Sequence, residues 1–267
     1  MRTAARYRAR MRFVVGALAV CLLAGCGTER VAEPEPAAEP APVQEVAAAQ
    51  TPACVDGAIR TVGSPRRSLA AIVRERAVAF RTPGGERIAD FGARNVNGVP
   101  TVFAVLSRRA DERCRATWYR VQLPLRPNGI VGWVRAAEVT VSPVTTRIEV
   151  DLSERRVTLF DRGKHVLTAR AAIGAAATPT PTGRYYVNQR LIPADTSGPF
   201  GPGAVGISAF SDVLTGWAQG GPIAIHGTNR PDLIGQAVSN GCIRVENGQL
   251  QRLFDGVLAG TPVVVTA

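Results

Sequence analysis

Apolar and polar residues alternate along much of the C-terminal half of the chain, as they do in half-buried β-strands. Between Arg147 and Leu152 every second residue is apolar, so we expect one face of this segment to be buried. Other short apolar runs in this half also predict strands: Val157–Leu159, Val166–Thr168, Arg184–Val187, Ile223–Ile225 and Pro262–Thr266. The pattern predicts a mostly antiparallel β segment.

One helix is predicted near the C-terminus. Apolar residues recur at helical spacing over residues 250–257, Asn247 supplies an N-cap side chain, and Gly260 follows the end. Between residues 192 and 214 the chain is rich in glycine and proline. This stretch is too long for a simple turn, so we expect it to be a lid or a binding loop.

Residues 54–142 show the pattern of short strands separated by glycine and proline turns. Apolar or alternating runs lie at 78–80, 100–106, 118–123 and 131–134. Regular spacing of this kind predicts a small barrel. The end of the segment, WYRVQLPLRPNGIVGWVRAAEV, resembles the last strands of bacterial SH3-like domains, which often accompany cell-wall enzymes.

The first 25 residues have the composition of an export signal. Five arginines precede twelve mostly apolar residues at 13–24. The motif Leu-Ala-Gly-Cys that ends at Cys26 resembles the lipobox of bacterial lipoproteins, in which the cysteine is diacylated and becomes the mature N-terminus. We expect residues 1–25 to be removed and Cys26 to be lipidated on the outer side of a membrane. An uncleaved anchor or a plain secretory signal is the alternative.

Residues 26–53 have a different composition, dominated by alanine, proline and glutamate. Prolines cannot donate backbone hydrogen bonds, and the segment has few large apolar residues to bury. It is therefore predicted to be an extended acidic spacer between the lipid and the folded part. The predicted organisation is signal (1–25), linker (26–53), SH3-like domain (54–142) and a C-terminal domain (143–267).

The net charge of +11 is unevenly distributed over these four segments. Residues 1–25 carry +5, residues 26–53 carry −4, residues 54–142 carry +8 and residues 143–267 carry +2. Nearly half of the excess thus lies in the expected signal, and no recognition-helix pattern accompanies the rest, so we expect no nucleic-acid partner. The excess on residues 54–142 is either a binding surface for anionic wall polymers or a solvated arginine-rich face.

The five cysteines are expected to have four different fates. Cys21 lies in the signal and Cys26 in the lipobox-like motif. Cys54 and Cys114 flank one compact segment of an exported chain, so we expect a disulfide between them; two buried free thiols are the alternative. Cys242 then remains unpaired, which in an exported protein indicates chemistry.

The chain has only two histidines, which limits where imidazole chemistry can occur. His165 follows a turn in a strand pattern, and we expect it at the surface. His226 ends an apolar strand and precedes Gly227. Cys242 follows 16 residues later, directly after Gly241. A histidine and a free cysteine that both adjoin glycine turns predict a thiol–imidazole site.

The sequence around these two residues, IAIHGTNRPDLIGQAVSNGCIRVENGQL, resembles the signature of the L,D-transpeptidase catalytic domain, also called the YkuD domain. The resemblance extends from about Thr146 to Val265 and includes TPTPTGRYYV and AGTPVVV. It implies a mainly β chain in which a small SH3-like barrel precedes a YkuD-type β-sandwich or barrel domain with one or two short helices. Many family members have a histidine where this chain has Asn240, so His226 must serve alone.

The resemblance implies peptidoglycan chemistry. These enzymes cut the stem tetrapeptide after its third residue, a diamino acid, release D-Ala, and pass the acyl group to the side-chain amine of a neighbouring stem. Cys242 is the expected nucleophile and His226 the expected base, because an adjacent imidazole takes the thiol proton and lowers the effective pKa of the thiol. No metal or organic cofactor is implied, and carbapenems are expected to acylate the thiol.

Neighbouring groups are expected to complete this site. The N–H groups of Gly241 and Cys242 are predicted to stabilise the oxyanion. The carbonyl of Gly227 is implied to orient the imidazole, and Arg244 is either a clamp for a substrate carboxylate or a structural salt-bridge partner. Weaker candidates for polar contacts with the substrate are Ser239, Asn229 and Asn240.

Three other functions are alternatives to this one. Transfer of the acyl group to water would make the protein an L,D-carboxypeptidase. Cysteine endopeptidases that carry SH3-like domains place the cysteine before the histidine, whereas here His226 precedes Cys242. A non-catalytic wall-binding lipoprotein would not need the set His226, Gly241, Cys242 and Arg244. In each case the expected location is extracytoplasmic, lipid-anchored and facing the wall.

Overall fold

The alternating segments form two β-sheets in the computed structural model of the protein, which describes residues 54–216 and 221–267. The predictions for the signal, for the linker and for lipidation at Cys26 lie outside these residues. No helix in the described part of the chain is long and apolar enough to cross a membrane.

The first sheet contains eight strands. They are β1 (Ile59–Thr61), β2 (Ser68–Val73), β3 (Arg76–Phe80), β4 (Arg87–Gly92), β5 (Val102–Ala110), β6 (Ala116–Gln122), β7 (Val131–Arg135) and β8 (Val139–Val144). The strand order is β4-β3-β7-β6-β5-β2-β8, and β1 pairs with β5. The buried core of this sheet includes Phe103, Val121 and Leu123.

The second sheet contains nine strands. They are β9 (Thr146–Asp151), β10 (Arg156–Asp161), β11 (Lys164–Gly174), β12 (Gly183–Leu191), β13 (Ala204–Phe210), β14 (Pro222–His226), β15 (Ala237–Ser239), β16 (Ile243–Val245) and β17 (Pro262–Thr266). The order is β10-β9-β17-β12-β13-β14-β16-β11-β15. Helix α1 (Asn247–Gly256) packs Leu250 and Leu253 into its core. The described chain is therefore mainly β with one α-helix, which confirms the predicted fold class.

The structure differs from the sequence predictions at three places. Strand β13 lies inside the stretch expected to be a loop. Its central residues are buried on both faces and show no alternation, so the pattern that predicts a strand is missing here. Strand β8 continues past the predicted boundary at residue 142. The N-cap of α1 is Glu246, whereas the Asn247 side chain leaves the helix and accepts a hydrogen bond from Thr228 N at 2.8 Å.

Both sheets belong to one compact unit and contact each other through side-chain amides. Gln122 Nε2 donates to Arg184 O at 2.8 Å. Asn128, in the turn between β6 and β7, makes a two-point contact with the backbone of Phe210 at the end of β13: its Nδ2 donates to the carbonyl at 2.8 Å and its Oδ1 accepts from the N–H at 2.9 Å. Gly260 (φ +93°) lies against Ala70, so a side chain there would meet the first sheet.

A disulfide joins Cys54 and Cys114 and encloses β1 to β5. The bridge ties the N-terminal end of the first sheet to the turn between β5 and β6. It spans a sequence separation of 60 residues.

We expect the double substitution Cys54→Ser/Cys114→Ser to lower the free energy of unfolding by about 4 kcal/mol, because the unfolded chain regains the loop entropy. Denaturant unfolding of the two proteins measures this change. Dithiothreitol should destabilise the unsubstituted protein and leave the double variant unchanged. Equal stability of the two proteins before reduction would contradict the prediction.

Candidate active site

His226 is the last residue of β14, a strand near the middle of the second sheet. The strand pairs antiparallel with β13 and parallel with β16, in which Arg244 is the register partner of His226. The imidazole is buried, and its Nδ1 lies 2.6 Å from the carbonyl oxygen of Gly227. A carbonyl only accepts hydrogen bonds, so Nδ1 carries the proton and Nε2 keeps a free lone pair.

Cys242 lies in the turn between β15 and β16 and is the free cysteine of the described chain. Its side chain is half-buried, and its Sγ lies 3.9 Å from the carbonyl oxygen of Pro222. Gly241 before it has φ +110°, and a Cβ at that position would lie 3.0 Å from Ile223 Cδ1. The positive φ strongly favours glycine, and the close approach adds to this preference, so Gly241 permits the turn that presents the thiol.

Hydrogen bonds within the turn fix its shape. Ser239 is buried; its hydroxyl donates to the carbonyl of Cys242 and accepts from Gly241 N at 3.2 Å. Ser239 therefore holds the turn together and does not face the cavity, contrary to its expected role in substrate contact. The same bond engages the Gly241 N–H, one of the two predicted oxyanion donors.

Two threonines that precede β12 stabilise the turn between β15 and β16 through hydrogen bonds. The buried Thr180 hydroxyl accepts from Gly174 N at 2.9 Å and donates to Gly241 O at 2.8 Å. Thr178 Oγ1 donates to Ser239 O at 2.9 Å. Both threonines belong to the motif TPTPTG, and the sequence alone does not show their role. Clustered threonines between two strands were the available signal.

A cavity of about 110 Å³ contains the thiol and the imidazole. Its lining includes four of the predicted site residues, His226, Asn240, Cys242 and Arg244. Asn229 is exposed to solvent and is not part of this lining, so the structure does not bring it to the site. His165 is exposed on β11, as expected.

Part of the glycine- and proline-rich loop covers the cavity. The Phe200 ring packs on the His226 ring with a centroid distance of 4.8 Å, while 47% of Phe200 remains exposed. A Cβ at Gly201 or at Gly227 would lie 2.4 Å from Asn247 Oδ1, so these two loops meet at the start of α1. Sequence reasoning placed Asn247 in a helix cap and missed this contact.

Burial is the largest cause of the pKa shifts of His226 and Cys242. Desolvation lowers the pKa of His226 to about 4; the Gly227 carbonyl opposes this shift and the Arg244 charge adds to it. Burial also raises the pKa of the Cys242 thiol, against the opposing effects of a hydrogen bond from the Ala224 backbone and of Arg244. At neutral pH the resting pair is therefore a neutral thiol and a neutral imidazole, whereas the sequence predicted an ion pair with a lowered thiol pKa.

Arg244 is half-buried at the cavity wall. Its Nε is buried and has no hydrogen-bond partner among residues 54–216 and 221–267. Within the same residues no carboxylate lies within ion-pair distance of its guanidinium. The structural salt bridge considered for Arg244 is therefore absent from the described chain, and its charge is available to the cavity. No group of three potential metal ligands is found in this part of the molecule.

Residues 145–265 match the family model described as the L,D-transpeptidase catalytic domain, YkuD. This match confirms the predicted catalytic domain for that segment. Two curated relatives carry the name "Putative L,D-transpeptidase YkuD". The one from Bacillus licheniformis is 36% identical over 45% of this chain and 65% of its own length. The one from Bacillus subtilis is 34% identical over 44% of this chain and 64% of its own length, so this chain spans slightly under two thirds of either relative.

One solved structure in the comparison is the catalytic domain of the Enterococcus faecium L,D-transpeptidase, determined by NMR. It is 27% identical over 45% of this chain and 96% of its own length, with a TM-score of 0.34.

We expect Thr180→Val to lower both the melting temperature and the rate of Cys242 acylation, because it leaves Gly174 N–H and Gly241 O unpaired at a cost of about 1–3 kcal/mol each. Thermal unfolding and the rate of reaction with a carbapenem measure the two effects. Thr158→Val, at a half-buried position on β10 away from the thiol turn, is the matched control and should change neither. Identical behaviour of the two variants would show that the Thr180 bridge does not support the turn.

Proposed function

We propose that the protein is a peptidoglycan L,D-transpeptidase that cross-links stem peptides through a cysteinyl acyl-enzyme. The observation that carries the proposal is the free Nε2 lone pair of His226 in the cavity that holds Cys242. The match of residues 145–265 to the catalytic-domain model supports the same conclusion.

His226 and Cys242 are both neutral at rest in this proposal, so the thiol loses its proton only as it attacks the substrate. Cys242 Sγ attacks the carbonyl carbon of the third stem residue while His226 Nε2 takes the thiol proton. When the tetrahedral intermediate collapses, the carbon–nitrogen bond breaks and Nε2 returns this proton to the departing D-Ala amine. An acceptor amine then attacks the thioester, and the proton it loses passes through Nε2 back to the sulfur. The Phe200 ring, which packs on the His226 ring, limits the access of water to the thioester.

Backbone N–H groups, Arg244 and Asn240 stabilise the bound substrate in this proposal. The N–H groups of Gly241 and Cys242 donate to the oxyanion; Gly241 exchanges its 3.2 Å bond with Ser239 for this stronger partner. Arg244, which lacks a carboxylate in the described chain, binds a carboxylate of the stem peptide. Asn240, exposed at the cavity rim, is a further polar contact.

The location and the remaining segments are part of the proposal. The signal-like residues 1–25 and the lipobox-like motif support an extracytoplasmic lipoprotein anchored through Cys26, with residues 26–53 as its spacer. Residues 54–142 form an SH3-like domain whose basic surface binds anionic wall polymers. Carbapenems act as covalent inhibitors because their strained lactam carbonyl accepts the same thiol attack.

Product analysis with purified tetrapeptide, with and without an amine acceptor, tests the function. Release of D-Ala with a cross-linked product identifies a transpeptidase. Release of D-Ala without cross-linking identifies the alternative, an L,D-carboxypeptidase. Absence of turnover and of a carbapenem adduct at Cys242 identifies a non-catalytic wall-binding protein and overturns the proposal.

A further inference from the structure

A second cavity, which we call the intersheet groove, lies between the two sheets and next to the active site. Its volume is about 350 Å³. The first sheet contributes residues 90–92 and 94–97, which end β4 and follow it, and the second sheet contributes Gln189, Phe210 and Pro222.

The groove and the nucleophile share one face of the second sheet. Pro222 lines both cavities, and its carbonyl oxygen is the atom that lies 3.9 Å from Cys242 Sγ. Gln189 is the register partner of Gly206, and Gly206 is the register partner of Ala224, whose backbone hydrogen-bonds the Cys242 sulfur. Only two small residues, Gly206 and Ala224, therefore separate Gln189 from the thiol along the sheet.

Gln189 is held in a fixed orientation on this face. Its Oε1 accepts from Asn95 Nδ2 at 2.9 Å and from Asn97 Nδ2 at 2.8 Å. The Nε2 atom of Gln189 therefore lies over Gly206. A Cβ built on Gly206 would be 2.9 Å from this nitrogen. A β-bulge at Asn188 brings both amide side chains to the groove. Two asparagines that follow β4 of the first sheet thus orient a side-chain N–H donor of the second sheet, near Cys242.

We propose that the intersheet groove binds the acceptor strand, an extended peptide whose side chain ends in a primary amine. This inference rests on the proposed function. The acyl donor must place its carbonyl carbon at Cys242 Sγ, inside the small cavity under Phe200. The groove begins on the far side of Pro222, so it suits the partner that reaches the thioester through a long flexible arm. Gln189 Nε2 donates to a backbone carbonyl of that strand.

The chemical step needs no further component. The acceptor nitrogen attacks the thioester carbonyl carbon, a carbon–nitrogen bond forms and the carbon–sulfur bond breaks. The proton released by the amine passes to His226 Nε2 and then to the Cys242 sulfur. Without a strand in the groove, water takes the place of the amine and gives the hydrolysed product.

The variant Gln189→Met tests the groove, because it keeps the side-chain length and removes the amide. Full-length protein is incubated with tetrapeptide and subsaturating acceptor, and the ratio of cross-linked to hydrolysed product is measured. We expect this ratio to fall about tenfold, the effect of one lost hydrogen bond to the acceptor. The rate of carbapenem acylation should fall by a smaller factor than the ratio of cross-linked to hydrolysed product.

The matched control is Gln122→Met, which removes another side-chain amide bond between the same two sheets, away from the groove. Its product ratio should stay within about twofold of the unsubstituted protein. Equal ratios in the two variants, whether lowered or unchanged, overturn the groove proposal. Absence of cross-linked product from the unsubstituted protein refutes the transpeptidase function itself, and the acceptor site with it.

Discussion

Replacing Cys242 with alanine is expected to lower tetrapeptide turnover by at least about 10⁴-fold, since removal of a nucleophile leaves only binding and oxyanion stabilisation. The thiol is the free cysteine of the described chain, so no second sulfur there takes its place. D-Ala release, followed by mass spectrometry, measures the loss.

The alanine variant also identifies the residue that a covalent inhibitor modifies. Intact-mass analysis with a carbapenem should show one adduct on the unsubstituted protein and none on the variant. Thermal unfolding serves as the folding control, because Cys242 is only half-buried. Turnover above about 1% of the original rate in a folded variant would assign the nucleophile to another residue.

Replacing His226 with glutamine is expected to lower the rate of Cys242 acylation by about 10²–10⁴-fold, because the thiol then loses its general base. Stopped-flow or mass-spectrometric acylation with a carbapenem measures the rate. His165→Gln, at an exposed position on β11, is the control and should retain the original rate. Comparable rates in the two variants would contradict the role of His226.

The pH dependence of the thiol follows from the two pKa shifts. The pKa of His226 lies near 4, so its base form predominates from pH 5 upward and acylation should show no inflection near 6.5. The raised pKa of Cys242 keeps the thiol protonated through neutral pH. Alkylation by iodoacetamide should therefore rise about tenfold per pH unit between pH 6 and 8. A plateau across this range would indicate a preformed ion pair.

Much of the fold was predictable because half-buried strands leave a period of two in the sequence. Residues 147–152 alternate and form β9 at nearly the predicted position. Strand β13 has the opposite character, since its central residues are buried on both faces and its Gly206 resembles a loop signal. Periodicity cannot reveal such a strand, because burial of both faces removes the alternation of apolar and polar residues.

The chemistry-bearing residues were easier to predict than the residues that support them. A lone histidine and an unpaired cysteine beside glycines are visible in the sequence, and the structure places both in one cavity. Ser239 and Thr180 act through hydrogen bonds to backbone atoms of the thiol turn, which depend on how three separate strands meet. The lowered imidazole pKa arises from burial, and no local sequence pattern encodes it.

The contact of Asn128 with the backbone of Phe210 has a consequence for how this chain can be divided. Phe210 is followed directly by Ser211, which lines the catalytic cavity, and Ser211 Oγ in turn accepts a bond from Leu214 N at 3.1 Å. One wall of the cavity that holds Cys242 is therefore anchored by a residue outside the segment 145–265. Replacing the N-terminal sheet with a different one is expected to reshape this cavity unless the replacement keeps an amide side chain at the turn between β6 and β7.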